Sequence, residues 1–562
     1  MLKEAADPER AEQLANHIHV SLPLAQMLVQ RGITEFDHAR DFFRPSLKNL
    51  HDPFLLKDLD HAVRRLVLAI QREEKILIYG DYDVDGTTSV ALVYGFLRSF
   101  YERIDFYIPD RYQEGYGISE QGIQYAADNH FSLIISLDCG IRAVKLVNQA
   151  RRQRIDFIIG DHHRPGEELP PAHAIINAKQ VGCEYPYKEL CGCGVGFKLL
   201  QAFCLETRRP LGELYEYLDL VAIAIAADIV PITGENRVLA HAGLRVLNRS
   251  PRPGLRALIE VAGLRTPLTI EQVVFGIAPR INAAGRMKHA KAAVELLLAE
   301  DEETATTWAT QLNKRNSQRR EHDTDTTQQA LAMIAANEKL RQAKSTVLFD
   351  ASWHKGVVGI VASRCIEQYY RPTIILTESK GKATGSARSV DGFDVYAAIS
   401  ECADLLDQYG GHTHAAGLTL PVDQVVAFQE KFESVVARSI QEEHLIPRLD
   451  IEQIISLDEI TPSFYNVLKQ MAPFGPGNMR PIFVSENLIT VGYPQVLKEK
   501  HLKFTVQQAD GNNQLGAIGF GMAHLYSLID NRQPFRMAYN VEENHYNGHT
   551  SLQLAIRDIK KI

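Results

Sequence analysis

The chain predicts an α/β, multi-domain protein: a domain built on a parallel sheet, a long connecting helix, a smaller α/β domain and a C-terminal β-barrel of OB-like type. Three observations lead there. Apolar runs of strand length alternate with amphipathic segments from Lys75 to Gly160, the rhythm of a parallel sheet. A polar stretch from Thr306 to Ala343 has few apolar anchors and no Gly or Pro, and reads as one long helix. Beyond Pro447 short alternating segments are separated by turn dipeptides, the pattern of a small barrel. With 562 residues, 45% apolar and 23% charged, the chain carries apolar material for three or four cores.

In chain order, a helical leader is expected over 1–55. A first domain over 56–290 takes its strands from KILIYG, DFYIP, SLIISL and IDFIIG, with helices from Thr88, from Ser119 to Asn129 and from Ile141. A mostly helical stretch begins at Phe197, and its last part, 291–343, is the connecting helix. Over 344–440 the strand and helix rhythm returns in STVLFD, TIILT and KATGSARS. Over 448–562 come LITVGY, HLKFTVQQ, QLGAIGF, FRMAYNVEE and TSLQLAIRDI, with turns at Asp510-Gly511 and Asn547-Gly548.

Composition narrows the function classes. The net charge of −8 argues against a protein that coats a polyanion over its whole surface, so any nucleic-acid contact is local. The densest basic stretch carries Lys314, Arg315, Arg319 and Arg320, either a solvated helix face or a strip that faces DNA. Of the seven cysteines, Cys183, Cys191 and Cys193 lie closest but lack the second pair a structural zinc requires. Reduced thiols are expected. The charged opening and the lack of any apolar run of roughly 18 residues predict no signal, no membrane span and a cytoplasmic location.

The chemistry concentrates where strands stop. KILIYG runs into Asp81, Asp83 and Asp85 of GDYDVDG, SLIISL into Asp138, and IDFIIG into Asp161, His162 and His163. Parallel strands share the edge formed by their carboxyl ends, where ligand crevices form. Carboxylates gathered there repel one another, and divalent cations relieve that repulsion. The oxygen-rich donor set with imidazole suits Mn²⁺ or Mg²⁺. Read as an extended segment, Asp83 and Asp85 would reach two ions, and Gly86 would permit a tight turn into the helix. Asp228 interrupts the apolar run LVAIAIAADIVPI; it is either a cap before Pro231 or a further ligand.

GDYDVDG, DCG and DHH, in this order, resemble the successive motifs of the DHH phosphoesterase superfamily, and GDYDVDGTTS resembles its RecJ-like branch. CGCGVGFK, AADIVP, RINAAGRM, GSARS, GGHTHAAG and PFGPGN extend the resemblance from about Ile76 to the C-terminus. The resemblance implies a two-metal centre held by Asp83, Asp85, Asp138, His162 and Asp228, with Asp81 contributing. It gives His163 an orienting part in catalysis and Asp161 a structural one. It implies in-line phosphodiester hydrolysis by an exonuclease acting 5′ to 3′ on single-stranded DNA, releasing 5′-mononucleotides in recombination and in mismatch or gap repair. A helicase and single-strand-binding protein are the expected partners, and a monomer the expected state. The second α/β domain resembles the DHHA1 module, which implies phosphate contacts from Ser386, Arg388, Ser389, His412 and His414, with Arg388 as a terminal-phosphate clamp. Arg280 and Arg286 would line the entry. CGCGVGFK either cradles a phosphate or starts a helix packed on the sheet. Among the barrel aromatics Phe483, Tyr493, Phe504, Phe520 and Tyr546, one or two are expected to be exposed for base stacking. A phosphodiesterase for very short or cyclic nucleotides and a non-catalytic DNA-binding scaffold remain the rival readings.

Overall fold

The computed structural model describes every residue except 288, 530–532 and 547. Asn547 of the expected Asn547-Gly548 turn therefore lies outside the described residues. Five strands, β1 (Ile76–Gly80), β2 (Ile104–Tyr107), β3 (Leu133–Leu137), β4 (Asp156–Gly160) and β5 (Ala174–Ile176), form a parallel sheet in the order β2-β1-β3-β4-β5. Both faces are covered, as parallel sheets require. Ile76 and Ile78 point into a core shared with the helices Val84–Arg98, Gly192–Thr207 and Leu218–Ala227. Leu77 and Tyr79 point into a second core with Ile123 and Val147, from the helices Glu120–Asp128 and Val144–Arg152 on the other face. Because β1 is flanked by β2 on one side and β3 on the other, the order reverses between β1 and β3. A crevice therefore opens at their carboxyl ends.

The second lobe is a mixed sheet of β6 (Thr346–Phe349), β7 (Thr373–Ser379), β8 (Lys382–Arg388), β9 (Gln408–His412) and β10 (Ala415–Pro421), in the order β6-β7-β8-β10-β9. Joining the lobes is the helix Glu302–Ala336, 35 residues long. Its Ala305, Ala309 and Leu312 are buried in the first lobe's core, and its Ala330 and Ile334 in a core of the second. One element is thus anchored at both ends, with its polar middle between the two cores.

The C-terminal strands β11 (Gln453–Ile454), β12 (Phe483–Leu497), β13 (His501–Gln508), β14 (Gln514–Gly519), β15 (Phe535–Tyr546) and β16 (His549–Lys561) run in the order β11-β12-β13-β14-β16-β15. The extra β12–β15 pairing closes a five-stranded barrel, the OB arrangement. The leader does not stand apart. Its Leu14, Leu24, Met27 and Leu28 share one core with Phe464, Phe483 and Phe504 of the barrel region, because its amphipathic helices are too short to bury their apolar faces alone. Among the described residues, no helix is long and apolar enough to cross a membrane.

Candidate metal centre

The acidic motif folds differently from the extended reading. The helix after β1 begins at Val84, not Thr88. Asp83 is its N-cap and accepts the Gly86 amide at 3.0 Å, while Asp85 sits in the first turn. Residues two apart would share one face of a strand, so it is the helix that separates the two side chains. Gly86 makes no turn. It lies inside the helix, and a Cβ there would sit 2.4 Å from the Asp81 carbonyl oxygen, so close packing of helix start on strand end excludes any side chain. Asp81 is fully buried and receives the Gly117 amide at 3.4 Å.

Asp85 accepts the amides of Gly192 and Cys193 at 2.6 and 2.8 Å. These open the helix Gly192–Thr207, whose unsatisfied amides and dipole favour a negative charge. CGCGVGFK is therefore a helix start packed on the sheet whose anion is a carboxylate of the protein itself. Gly192 also touches the next ligand: a Cβ there would lie 2.5 Å from Asp138 Cβ. Asp138 follows β3 in a left-handed conformation, φ 59°, with its amide bonded to the Gly160 carbonyl at 2.9 Å.

His162 joins the carboxylates. Its Nε2 lies 3.1 Å from Asp138 Oδ1, 3.6 Å from Asp228 Oδ2 and 3.7 Å from Asp85 Oδ2. Asp85, His162 and Asp228 form one set able to hold a cation, and Asp138, His162 and His163 another. Asp228 ends the apolar helix Leu218–Ala227, which delivers it to the crevice. Burial, then the charge of Asp83, raises the proton affinity of Asp81 and Asp85. Asp138 and Asp228 are raised by burial and then by Asp85 and Asp83. His162 is driven down to about 3 by burial and by His163, which leaves a neutral imidazole suited to ligation. Asp81 Oδ2, Asp138 Oδ1 and His162 Nε2 are buried without a hydrogen-bond partner. Buried polar atoms left so are costly. A divalent cation accepts such lone pairs and offsets the mutual repulsion, so the donor set fits Mn²⁺ or Mg²⁺.

His163 is held in place through both ring nitrogens. Its Nδ1 lies 2.8 Å from Asp161 Oδ1, and its Nε2 lies 3.3 Å from the Tyr116 hydroxyl. Burial would lower its proton affinity, but the hydrogen bond and charge of Asp161 hold it at about 8. Asp161, buried and resisting ionisation on that account, is brought to about 2 by His163 and by backbone amides including that of Ile141.

The sequence-predicted phosphate contacts separate into two groups. Arg388 Nη1 donates to Ser386 Oγ at 2.8 Å, and both meet the start of the helix Val358–Gln368, where a Cβ on Gly359 would lie 3.0 Å from Arg388 Nη2. Arg286, donating to the Gly356 carbonyl at 3.0 Å, is pushed down to about 10 by burial and by Arg111, Arg319 and Arg388. Cations gathered around a helix start would favour an anion there. His412 is exposed on β9 and feels both Arg142 and His163. Of the others, Ser389 donates to the Phe393 carbonyl and Arg280 to Asn313 and the Gly276 carbonyl, while His414 is exposed and only its backbone carbonyl is bonded, by the Ser389 amide. Arg315 Nη1 and Arg319 Nε, in the middle of the connecting helix, are buried without a partner. Of the barrel aromatics, Phe483 and Phe504 are core, whereas Tyr493, Phe520 and Tyr546 are exposed.

The sequence reading missed Arg111 and Tyr116. Both lie in the loop after β2, at the same sheet edge as the aspartates, so the rule that placed the aspartates would have found them.

Comparison with known proteins agrees with this architecture. The DHH family N-terminal domain matches residues 75–225, the DHHA1 domain 342–438 and the RecJ OB domain 451–558. The single-stranded-DNA-specific exonuclease RecJ of Bacillus subtilis (strain 168) is 38% identical over 98% of this chain and 70% of its own length. Its counterpart in Escherichia coli (strain K12) is 32% identical over 95% of each. The crystal structure of RecJ in complex with Mn²⁺ from Thermus thermophilus superposes with a TM-score of 0.85 at 27% identity, covering all of this chain and 79% of the other. A crystal structure of exonuclease RecJ bound to manganese matches 71% of this chain and 99% of its own, with TM-score 0.62 and 32% identity. With near-full-length identity and the same succession of domains, the chain belongs to the RecJ family.

Proposed function

We propose that the protein is a single-stranded-DNA-specific exonuclease that hydrolyses phosphodiester bonds from the 5′ end and releases 5′-mononucleotides. The reading is carried by one observation: carboxylates and an imidazole converge at the switch point of the sheet with buried ligand atoms left unsatisfied, in a chain of the RecJ family.

Asp83, Asp85, Asp138, His162 and Asp228, with Asp81 beside them, would hold two Mn²⁺ or Mg²⁺ ions. When bound, such ions supply an activated water and stabilise charge on phosphorus. The protein's part is placement. The amides of Gly192 and Cys193 fix Asp85. His163, anchored by Asp161, orients Asp138 and His162. Arg388 and Ser386 bind the terminal phosphate, a guanidinium fork matching two phosphate oxygens, and Arg286 and Arg111 add charge. Arg315 and Arg319 line the strand's path between the lobes, and the exposed Tyr493, Phe520 and Tyr546 offer stacking faces. A passage between two lobes held by one helix admits an unpaired strand and rejects duplex. Recombination and repair in the cytoplasm, action as a monomer, and a helicase and single-strand-binding protein as partners complete the reading.

The test is degradation of 5′-labelled and 3′-labelled single-stranded DNA, with matched duplex and RNA, in Mn²⁺, Mg²⁺ or EDTA, using wild type and Asp85→Ala. Labelled mononucleotide should appear first from the 5′ end, only with metal, and be lost in the variant. Tight DNA binding without hydrolysis would instead make the protein a scaffold.

A further inference from the structure

The loop 110–117 supplies no ligand, yet one of its side chains reaches the centre. The loop is firmly held. Glu114 accepts the Asp110 amide at 2.7 Å, the Tyr107 hydroxyl at 2.9 Å and the Ser119 hydroxyl at 2.5 Å, and the Tyr112 hydroxyl donates to the Arg286 carbonyl. From this frame the Tyr116 hydroxyl meets two parts of the centre at once: the Asp138 carbonyl at 3.3 Å and His163 Nε2 at 3.3 Å. Its ring stands edge-on to Tyr82, with centroids 6.1 Å apart.

Both contacts complete a frame that is held from the other side. Asp138 holds its carboxylate in the cluster from a left-handed backbone, φ 59°, a conformation that persists only where surroundings enforce it. Its amide is secured by Gly160, and its carbonyl faces Tyr116. His163 has one nitrogen secured by Asp161, and the other faces Tyr116. Loss of one hydroxyl would remove a contact from both at the same time.

We infer that Tyr116 is a positioning residue that aligns Asp138 and His163 for metal binding and for turnover. This rests on the metal-centre reading, and Tyr116→Phe tests it by deleting the hydroxyl and keeping the ring. Two measurements are needed: Mn²⁺ binding to DNA-free protein, followed by electron paramagnetic resonance of free Mn²⁺, and steady-state hydrolysis of 5′-labelled single-stranded DNA. Expected are about tenfold weaker Mn²⁺ binding and about tenfold lower kcat, the usual range for groups that orient ligands, with KM within about twofold and an unchanged unfolding temperature. Wild-type Mn²⁺ affinity and kcat in the variant would overturn the inference, as would a rise confined to KM, which would make Tyr116 a substrate contact. If wild type binds Mn²⁺ but degrades no DNA, the exonuclease reading fails, and the two Mn²⁺ affinities alone decide the role of Tyr116. If wild type binds no Mn²⁺, both fall.

Discussion

Gly192 shows how tightly the centre is drawn at the scale of single residues. Its amide holds Asp85 and its α-carbon leaves room for Asp138, so no side chain fits between helix start and ligand. Gly192→Ala should force Asp138 outward, costing about 1–3 kcal/mol of stability through overpacking. A shift of about 1 Å in a reacting group costs on the order of a hundredfold in rate, so kcat should fall by that order. Thermal unfolding and single-turnover hydrolysis check the two effects. A variant that matches wild type in both would mean that the helix start yields. Asp83 makes a related point: the sequence marks it as acidic, but its role as N-cap depends on where the helix begins.

Among elements, the helix Leu218–Ala227 decides where Asp228 stands. It is buried along its length, and its first turn is clamped by Asp219, 1% exposed, which receives both Nε and Nη2 of Arg252 at 2.8 Å. Removing one partner of such a pair leaves an uncompensated buried charge, worth about 3–5 kcal/mol. Arg252→Ala should lose that much in chemical denaturation, whereas Asp219→Leu combined with Arg252→Met should recover most of it, since an apolar pair of similar volume costs little. If the double variant were no better than the single, the pair would matter for more than its charge balance. The connecting helix was legible as an element because 35 residues without Gly or Pro permit little else. Its burial in two separate cores was not.

For the molecule as a whole, Arg237 joins three regions. Its guanidinium donates to the carbonyls of Phe42 in the leader and of Met471, Ala472 and Pro473 before the barrel, and lies 3.8 Å over the Phe42 ring. Burial, then the nearby Arg31, pushes it down to about 10. Arg237→Ala should loosen the barrel against the catalytic lobe without touching the centre. The expected outcome is a KM about tenfold higher for long single strands, roughly 1.4 kcal/mol, with hydrolysis of a dinucleotide within about twofold of wild type. Equal losses on both substrates would place the effect in the catalytic lobe.

The sequence by itself determined the parallel sheet, the second α/β lobe, the barrel and the acidic strand ends, because hydrophobic period and strand-terminal position are local properties of the chain. Tertiary structure alone decided which groups hold those acids. The amides at Asp85 come from more than a hundred residues downstream, and Tyr116 reaches Asp138 from a loop without a motif of its own. It also decided that the leader shares the barrel's core, since an amphipathic face announces that it will be buried but not what will bury it.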